Sequence, residues 1–239
     1  MYDFLAQSLS RLQGLIESQR DAIDLAVEKM LEAVAADRLI FAFGTGHSHM
    51  VPMELFGRAG GLANVAAMLD SCVLNGGGAT RSGRLERLHG LADILWDEYQ
   101  ISKGDLLLIV SNSGLNAVIV EMAQRARAEG VYCIALTSLE QSRANTSRHP
   151  SGAKLYELAD LVIDNGAPNG DALLRYGELG TGSFSSLSGI AIAQVLVAET
   201  VRRGVELGID VPLYQSQNTD RATGNEALFA RYKPRIKHL

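Results

Sequence analysis

The chain has 239 residues, 47% of them hydrophobic, which is enough to build one large or two small domains around a substantial core. Its 22 basic and 27 acidic residues give a net charge of −5, and no long basic run suggests a nucleic-acid surface. Charges interrupt the N-terminal segment, and Gln194 and Glu199 interrupt the longest apolar stretch, so neither a signal peptide nor a membrane span is expected. Cys72 and Cys133 have no metal-binding spacing, which favours reduced thiols in the cytoplasm.

The predicted elements alternate between helices and strands. Residues 3–36 have apolar side chains at helical spacing, which predicts one bent helix or two consecutive ones. Five short apolar runs are then predicted to be strands, at 39–43, 63–69, 106–110, 131–136 and 161–163. The clearest helix between strands covers residues 116–130, with Asn116 as its candidate N-cap and Gly130 where it would end. The alternation predicts an α/β fold, a three-layer α/β/α sandwich with a parallel sheet of about five strands.

Three units are expected along the chain. Residues 1–36 are interpreted as a helical extension, 37–207 as the main domain and 208–239 as a C-terminal tail whose basic residues favour solvated surface over a site. Glycine-rich or polar segments at 75–83, 141–152 and 164–183 are predicted to be loops, and the length of the last suggests a functional loop.

Two loops after predicted strands have side chains suited to an anion. The first is "GTGHSH" at residues 44–49, where the glycines allow close backbone approach and Ser48 offers a hydroxyl. The second is "SNSGLN" at residues 111–116, with two hydroxyls and a glycine before a predicted helix. In an open parallel sheet, ligands bind at the carboxyl ends of the strands, where helix N-termini present free N–H groups. The two loops are therefore predicted to hold a compact anion together.

This ordered pair of loops resembles the SIS (sugar isomerase) domain, a family that binds phosphosugars. Within it, the chain is similar to the sedoheptulose 7-phosphate isomerases, because residues 54–58 read Glu-Leu-Phe-Gly-Arg and residues 104–116 follow a Gly-Asp strand with a "SNSG" loop. The resemblance covers about residues 35–205. It implies a flavodoxin-like or Rossmann-like topology and a homodimer or tetramer with sites that borrow residues from the partner.

The resemblance also implies a set of binding residues. Ser48, Ser111 and Ser113 correspond to phosphate or sugar contacts, and Thr137 follows a strand that is similar to the next one in the family. Asn116 replaces the family's last loop hydroxyl and either donates through its amide or only caps the helix. The complete predicted binding set is Gly44, Gly46, Ser48, Ser111, Asn112, Ser113, Asn116 and Thr137.

Glu54 corresponds to the catalytic glutamate of these isomerases, which implies a base that moves a proton between adjacent carbons through an enediol. The histidine that the isomerases carry in their C-terminal helix is missing here. Candidate partners are His47 in the first loop, or His49, and the pair Glu86 and His89, whose spacing places them on one helix face. The competing interpretation of that pair is an ordinary surface feature.

The function expected is that of a phosphosugar-binding protein and sugar-phosphate isomerase. The alternatives are a non-catalytic phosphosugar sensor and a phosphosugar lyase or etherase. A dinucleotide enzyme, with Asp70 as its ribose contact, is disfavoured because His49 stands where that fingerprint has its third glycine. No cofactor is predicted, and a metal site built on His47 and His49 has no recognisable spacing. The loop with Arg81 and Arg84 is either a lid or merely flexible.

Overall fold

The computed structural model describes residues 2–218 and 224–239. The helices are α1 (Asp3–Ser18), α2 (Arg20–Ala35), α3 (Met50–Leu55), α4 (Ala79–Leu85), α5 (Leu91–Tyr99), α6 (Ala117–Glu129), α7 (Leu139–Ala144), α8 (Leu155–Leu158), α9 (Ser185–Glu206) and α10 (Asn225–Tyr232). The strands are β1 (Ile40–Gly44), β2 (Val65–Ala67), β3 (Leu106–Val110), β4 (Tyr132–Thr137), β5 (Leu161–Asp164), β6 (Leu174–Tyr176) and β7 (Leu179–Thr181). Short 3-10 turns cover His47–His49 and Asn75–Gly77.

The centre of the molecule is a parallel sheet of five strands in the order β2-β1-β3-β4-β5. Strands β1 and β3 are buried along their whole length, as expected for parallel strands covered on both faces. Their register pairs Gly44 with Val110, so the two strands end side by side. The loops that follow them therefore emerge next to each other at one edge of the sheet.

Helices cover both faces, which confirms the predicted three-layer α/β/α fold. On one face, side chains such as Phe41, Leu107 and Ile109 pack with α5, α6 and the C-terminal residues. On the other, Ile40 and Leu108 pack with α2, α3 and α9. Helix α2 contributes seven buried residues and belongs to this second layer, so the core continues across residue 36.

The C-terminal segment packs against the domain. The side chains of Tyr232 and Ile236 are buried in the first core cluster. Arg231 and Arg235 lie 2.9 and 3.2 Å from the carboxylate of Asp37. The interpretation of this basic run as solvated surface was therefore incomplete, because its arginines flank two buried side chains and pair with an acid.

The long segment 164–183 contains a two-stranded antiparallel hairpin, β6 and β7, that the sequence did not reveal. Its strands are three residues each and largely exposed, so they lack the apolar alternation by which a strand is recognised. In the part of the chain that the structure describes, none of the helices has both the length and the apolar character to cross a membrane.

Candidate functional site

The first loop is shaped by the close packing of its backbone. Strand β1 ends at Gly44, and the chain turns through His47–His49 directly into α3. A Cβ atom on Gly44 would stand 2.8 Å from the backbone oxygen of Ser48, so only glycine fits there without a shift. Gly46 has a φ of +57°, in the left-handed region that favours glycine. Both glycines thus let the loop fold back over the end of the strand.

The second loop connects β3 to α6. The N–H of Gly114 donates to the hydroxyl of Ser111 at 3.1 Å, and Gly114 itself has a φ of +65°. This turn aims the chain into the first turn of α6, a helix of 13 residues. The N-terminus of such a helix is the positive end of its dipole and favours negative charge.

The two loops line one polar cleft of about 420 Å³. Its wall is formed by Thr45, Gly46, His47, Ser48, Glu86, Ser111, Asn112, Ser113, Leu115, Asn116, Gln141, Asn145, Arg148, Asn169 and Gly170. Six of the eight residues predicted to bind ligand are among them. The other two, Gly44 and Thr137, lie just behind the wall.

Two hydroxyls on this cleft are available to a ligand. Within residues 2–218 and 224–239, the side-chain oxygens of Ser48 and Ser113 have no hydrogen-bond partner. The side chain of Ser111 is buried and already accepts from Gly114. Ser48 and Ser113 can therefore bind an incoming anion without breaking an existing hydrogen bond.

Thr137 supports the second loop from below. It is fully buried, and its hydroxyl donates to the backbone oxygen of Asn112 at 3.4 Å. The Asn112 side chain is held on both sides: it donates to Gln141 at 2.7 Å and accepts from Asn165 at 3.0 Å. These contacts fix the loop, so the role of Thr137 in this geometry is to position the loop rather than to touch a ligand.

Asn116 occupies the N-cap position of α6, but its side chain makes no capping hydrogen bond. Its Oδ1 instead accepts from the guanidinium of Arg148 at 2.8 Å. Asn116 therefore orients a cation at the mouth of the cleft, a role that neither sequence interpretation included. Arg148 is the arginine of the cleft wall, and it lies beside the N-terminus of α6.

The carboxylate on the cleft belongs to Glu86. The hydroxyl of Thr45 donates to its Oε2 at 2.9 Å, and Arg87 lies 3.4 Å from its Oε1. The backbone oxygen of Glu86 accepts from Val118 N–H in the first turn of α6, at 3.2 Å. Glu86 is thus tied to both loops, by its side chain to the first and by its backbone to the helix that follows the second.

Glu54 does not line this cleft. It lies on α3, where it accepts a hydrogen bond from Gln194 of α9 at 2.7 Å and pairs with Arg58 one turn further along. The helix therefore directs the glutamate that the resemblance singled out toward α9, away from the serine loops of its own chain.

The histidines predicted as partners are separated. His47 lines the cleft, and its Nδ1 lies 2.9 Å from the side-chain amide of Asn75. Since that amide donates, the proton of a neutral His47 ring is assigned to Nε2. His49 instead bonds the backbone oxygen of Gly46 through its Nδ1.

His89 does not share a helix face with Glu86, because α4 ends at Leu85. Its Nδ1 lies 2.8 Å from the carboxylate of Glu121, on the outer side of α6. The predicted Glu86–His89 pair is therefore not formed: the Glu86 side chain lines the cleft, and the His89 ring lies beside Glu121.

Three further sequence interpretations concern side chains away from the cleft. Asp70 accepts from the backbone N–H of Cys72 at 2.9 Å and does not line the cleft, which leaves the dinucleotide hypothesis without its ribose contact. Burial, reinforced by Asp70, raises the pKa of the Cys72 thiol to about 12, and burial also raises the pKa of Cys133. Both thiols are consequently protonated at neutral pH. Arg81 lies on α4, so the segment around it is helical and not a flexible loop. Its guanidinium donates to the Ser71 backbone oxygen at 3.2 Å.

Besides Leu115 and Gly170, five cleft residues with polar or charged side chains had not been predicted: Thr45, Gln141, Asn145, Arg148 and Asn169. Thr45 stands inside the first glycine loop and could have been included with it. The other four come from segments 141–152 and 164–183, which sequence patterns identified only as loops. Polar residues in those loops were the available signal.

Residues 3–138 match the SIS domain family. A UPF0309 protein of Halalkalibacterium halodurans is 40% identical over 232 residues, which cover 96% of this chain and 95% of that protein. A UPF0309 protein of Brucella canis is 39% identical over 234 residues, covering 97% of this chain and 95% of that protein.

Solved structures share the fold at low identity. Phosphoheptose isomerase from Neisseria gonorrhoeae superposes with a TM-score of 0.55 and 18% identity, covering 83% of this chain and 95% of that one. The Vibrio vulnificus NanR protein, complexed with ManNAc-6P, gives a TM-score of 0.50 and 19% identity, covering 86% of this chain and 65% of that one. The chain therefore belongs to the SIS domain family and, by its full-length relatives, to the UPF0309 proteins.

Proposed function

We propose that this protein binds a phosphorylated sugar in the cleft between the two serine loops and isomerises it through an enediolate. One observation carries the proposal: unpartnered serine hydroxyls, a helix N-terminus, an arginine and a carboxylate all face the same cleft. The first three suit a phosphate, and the last suits proton transfer on the sugar.

The phosphate would bind at the second loop. Ser113 offers a hydroxyl and Arg148 a guanidinium, the N-terminus of α6 adds the positive end of its dipole, and Ser48 adds a hydroxyl from the opposite loop. Hydrogen bonds between charged donors and phosphate oxygens are about twice as strong as neutral ones. A compact monophosphate would satisfy these donors better than a neutral sugar would.

Glu86 is the base that we assign to the reaction. An aldose–ketose isomerisation moves a proton from one carbon to its neighbour, and a carboxylate at the cleft wall can remove and return that proton. The Thr45 hydroxyl, 2.9 Å from the carboxylate, fixes its orientation. The Nε2–H of His47 supplies a donor for the sugar oxygens during the transfer.

The comparisons add support at the level of the family. The fold is shared with a phosphoheptose isomerase and with a protein complexed with ManNAc-6P. These structural similarities do not identify which sugar this chain binds. The ligand class is argued from the donors of its own cleft.

Two measurements on the full-length protein test the proposal. A panel of sugar phosphates, with the matching neutral sugars and NAD(H) as controls, is screened for a rise in thermal midpoint. Each stabilising sugar phosphate is then incubated with the protein in D2O, and deuterium at the carbon next to the carbonyl is measured. We expect stabilisation by phosphorylated sugars only, followed by deuterium incorporation.

The outcomes separate the alternatives. Stabilisation without deuterium incorporation or product would favour a phosphosugar sensor, and release of a substituent beside the carbonyl would favour a lyase or etherase. Stabilisation by NAD(H) and by no sugar phosphate would overturn the proposal.

Self-association is also part of the proposal. Tyr2, Leu5 and Leu9 at the start of α1 are 83%, 49% and 60% exposed, an apolar surface that a second copy would bury. Sedimentation equilibrium should give a dimer or tetramer. A variant with Leu5→Glu and Leu9→Glu should shift toward monomer, whereas Ile94→Glu, at a 63% exposed site on α5, should not.

A further inference from the structure

Two histidines and a glutamate converge outside the cleft. His89 precedes α5, Glu121 lies on α6, and His149 follows α7. Their potential ligand atoms all lie within 4.8 Å of one another. Because they come from three separate segments, no sequence spacing could reveal them.

The distances within this triad suit a single metal ion. His89 Nδ1 lies 2.8 Å and His149 Nε2 lies 3.7 Å from Glu121 Oε1. In a tetrahedral zinc site with bonds near 2 Å, ligand atoms stand about 3.3 Å apart. The rings are tilted by 55° with centroids 5.3 Å apart, so they do not stack and can both face one point. Small side-chain rotations would bring all three atoms to bonding distance.

Neighbouring groups hold the triad in place. The N–H of Gly90 donates to Glu121 Oε2 at 2.9 Å, which fixes the carboxylate and leaves Oε1 toward the rings. The Ser151 hydroxyl lies 2.7 Å and the Ser151 N–H lies 3.2 Å from His149 Nδ1. In this structure Nδ1 accepts from the Ser151 N–H; with a metal on Nε2 the ring proton would move to Nδ1, which would give up that bond and donate to the Ser151 hydroxyl instead. Such a second hydrogen bond is usual for a histidine that binds a metal.

We propose that His89, Glu121 and His149 form a binding site for a divalent transition-metal ion of the zinc class. Two imidazoles and one carboxylate suit zinc and its neighbours, whereas magnesium and calcium prefer sites made of oxygen alone. The side chains of Glu121 and His149 are 17% and 13% exposed, and that of His89 is 50% exposed. The ion would enter past His89, with water as its fourth ligand.

The position of the site indicates what the ion would do. His89 follows Glu86 by three residues, and His149 follows Arg148 directly, while Glu121 lies on the helix that starts at the second loop. A bound ion would fasten the segments that carry Glu86 and Arg148 to α6. It would thus brace one wall of the cleft without touching a ligand in it.

The test uses the full-length protein, stripped with a chelator and titrated with zinc chloride in a calorimeter. We expect one zinc per chain and no competition from magnesium. Glu121→Gln and His149→Ala should each weaken zinc binding by roughly tenfold or more, because each removes a ligand. His238→Gln, whose ring bonds Tyr99 at 2.7 Å, should bind zinc like the unmodified protein.

A second measurement does not depend on variants that fold. In the unmodified protein, zinc should protect His89 and His149 from diethyl pyrocarbonate, whereas the exposed His47 should react as before, as read by mass spectrometry. Absence of stoichiometric binding, or protection of other histidines instead, would overturn the proposal. Neither readout uses a sugar, so the result is independent of the proposed reaction.

Discussion

The hydroxyl of Thr45 donates to the carboxylate of Glu86 at 2.9 Å, across 41 residues of sequence. This hydrogen bond joins the first glycine loop to the segment after α4 and places an acid on the cleft that the two loops form. Glu54, which the family resemblance implied as the base, instead bonds Gln194 of α9. The two glutamates therefore give contrasting predictions.

Glu86→Gln should reduce turnover of a stabilising sugar phosphate by at least about 100-fold, the contribution of a positioned base, because the amide cannot accept the proton. Binding in the thermal-shift assay should persist. Glu54→Gln should change turnover much less. A large loss in Glu54→Gln with full activity in Glu86→Gln would reverse the assignment and restore the role that the resemblance implied.

Arg148 should contribute to ligand affinity rather than to the chemical step. Its guanidinium is held by Asn116 beside the N-terminus of α6. Hydrogen bonds to charged groups contribute about 1.5–3 kcal/mol, so Arg148→Gln should weaken phosphosugar binding by roughly tenfold or more. Titration calorimetry measures the change. Arg143→Gln, an exposed arginine of α7 outside the cleft, is the matched control, and an equal loss in both variants would contradict a direct role for Arg148.

Much of the fold followed from local sequence patterns. Strand β3 was predicted with its observed ends, and the helix predicted over 116–130 is α6, Ala117–Glu129. These elements have continuous apolar runs or helical periodicity, together with a glycine at the helix end. The strand predicted over 63–69 forms only over Val65–Ala67; Ala63 and Met68 on either side of it are buried but lie outside the paired strand.

The cleft was only half predictable. Glycine and serine loops after strands are local signals, and residues of both loops lie on the cleft. Glu86, which the sequence linked to His89, and Arg148 reach it through contacts between distant segments, such as the 32-residue separation of Arg148 from Asn116. Helical spacing could not predict that Glu86 lines the cleft, because α4 ends before Glu86.

The packing of the first loop predicts a cost for any side chain at residue 44. In Gly44→Ala, the new Cβ would stand 2.8 Å from the Ser48 backbone oxygen and 3.1 Å from that of Val110. Since backbone atoms must move, we expect a loss of about 1–3 kcal/mol in the free energy of unfolding and weaker phosphosugar binding. Urea denaturation measures the first and calorimetry the second. Gly76→Ala, where a Cβ meets no atom within 4 Å, is the control, and unfolding at the same urea concentration in both variants would contradict this account.

The attachment of the C-terminal segment should depend on pH through Asp37. Burial alone would raise the pKa of Asp37, but hydrogen bonds from Arg231 and Arg235 outweigh it and hold the pKa below its ordinary value. When the pKa of a carboxyl group is lower in the folded state than in the unfolded state, its charge stabilises the folded state. This stabilisation is fully present at pH values above the unfolded pKa of about 3.9, and it is lost as the pH falls toward the folded pKa.

Asp37→Asn should therefore lower the free energy of unfolding at pH 7, and the difference from the unmodified protein should shrink as the pH is lowered from about 5 toward 3. The carboxylate is 49% exposed, so solvent screening keeps the effect small, within about 1 kcal/mol. Urea denaturation at a series of pH values measures it, with Asp210→Asn, at an exposed position away from these arginines, as the control. A difference that stayed constant down to pH 3 would show that Asp37 does not hold the segment through its charge. Since Tyr232 and Ile236, each next to one of these arginines in the sequence, are buried, their packing would then carry the attachment alone.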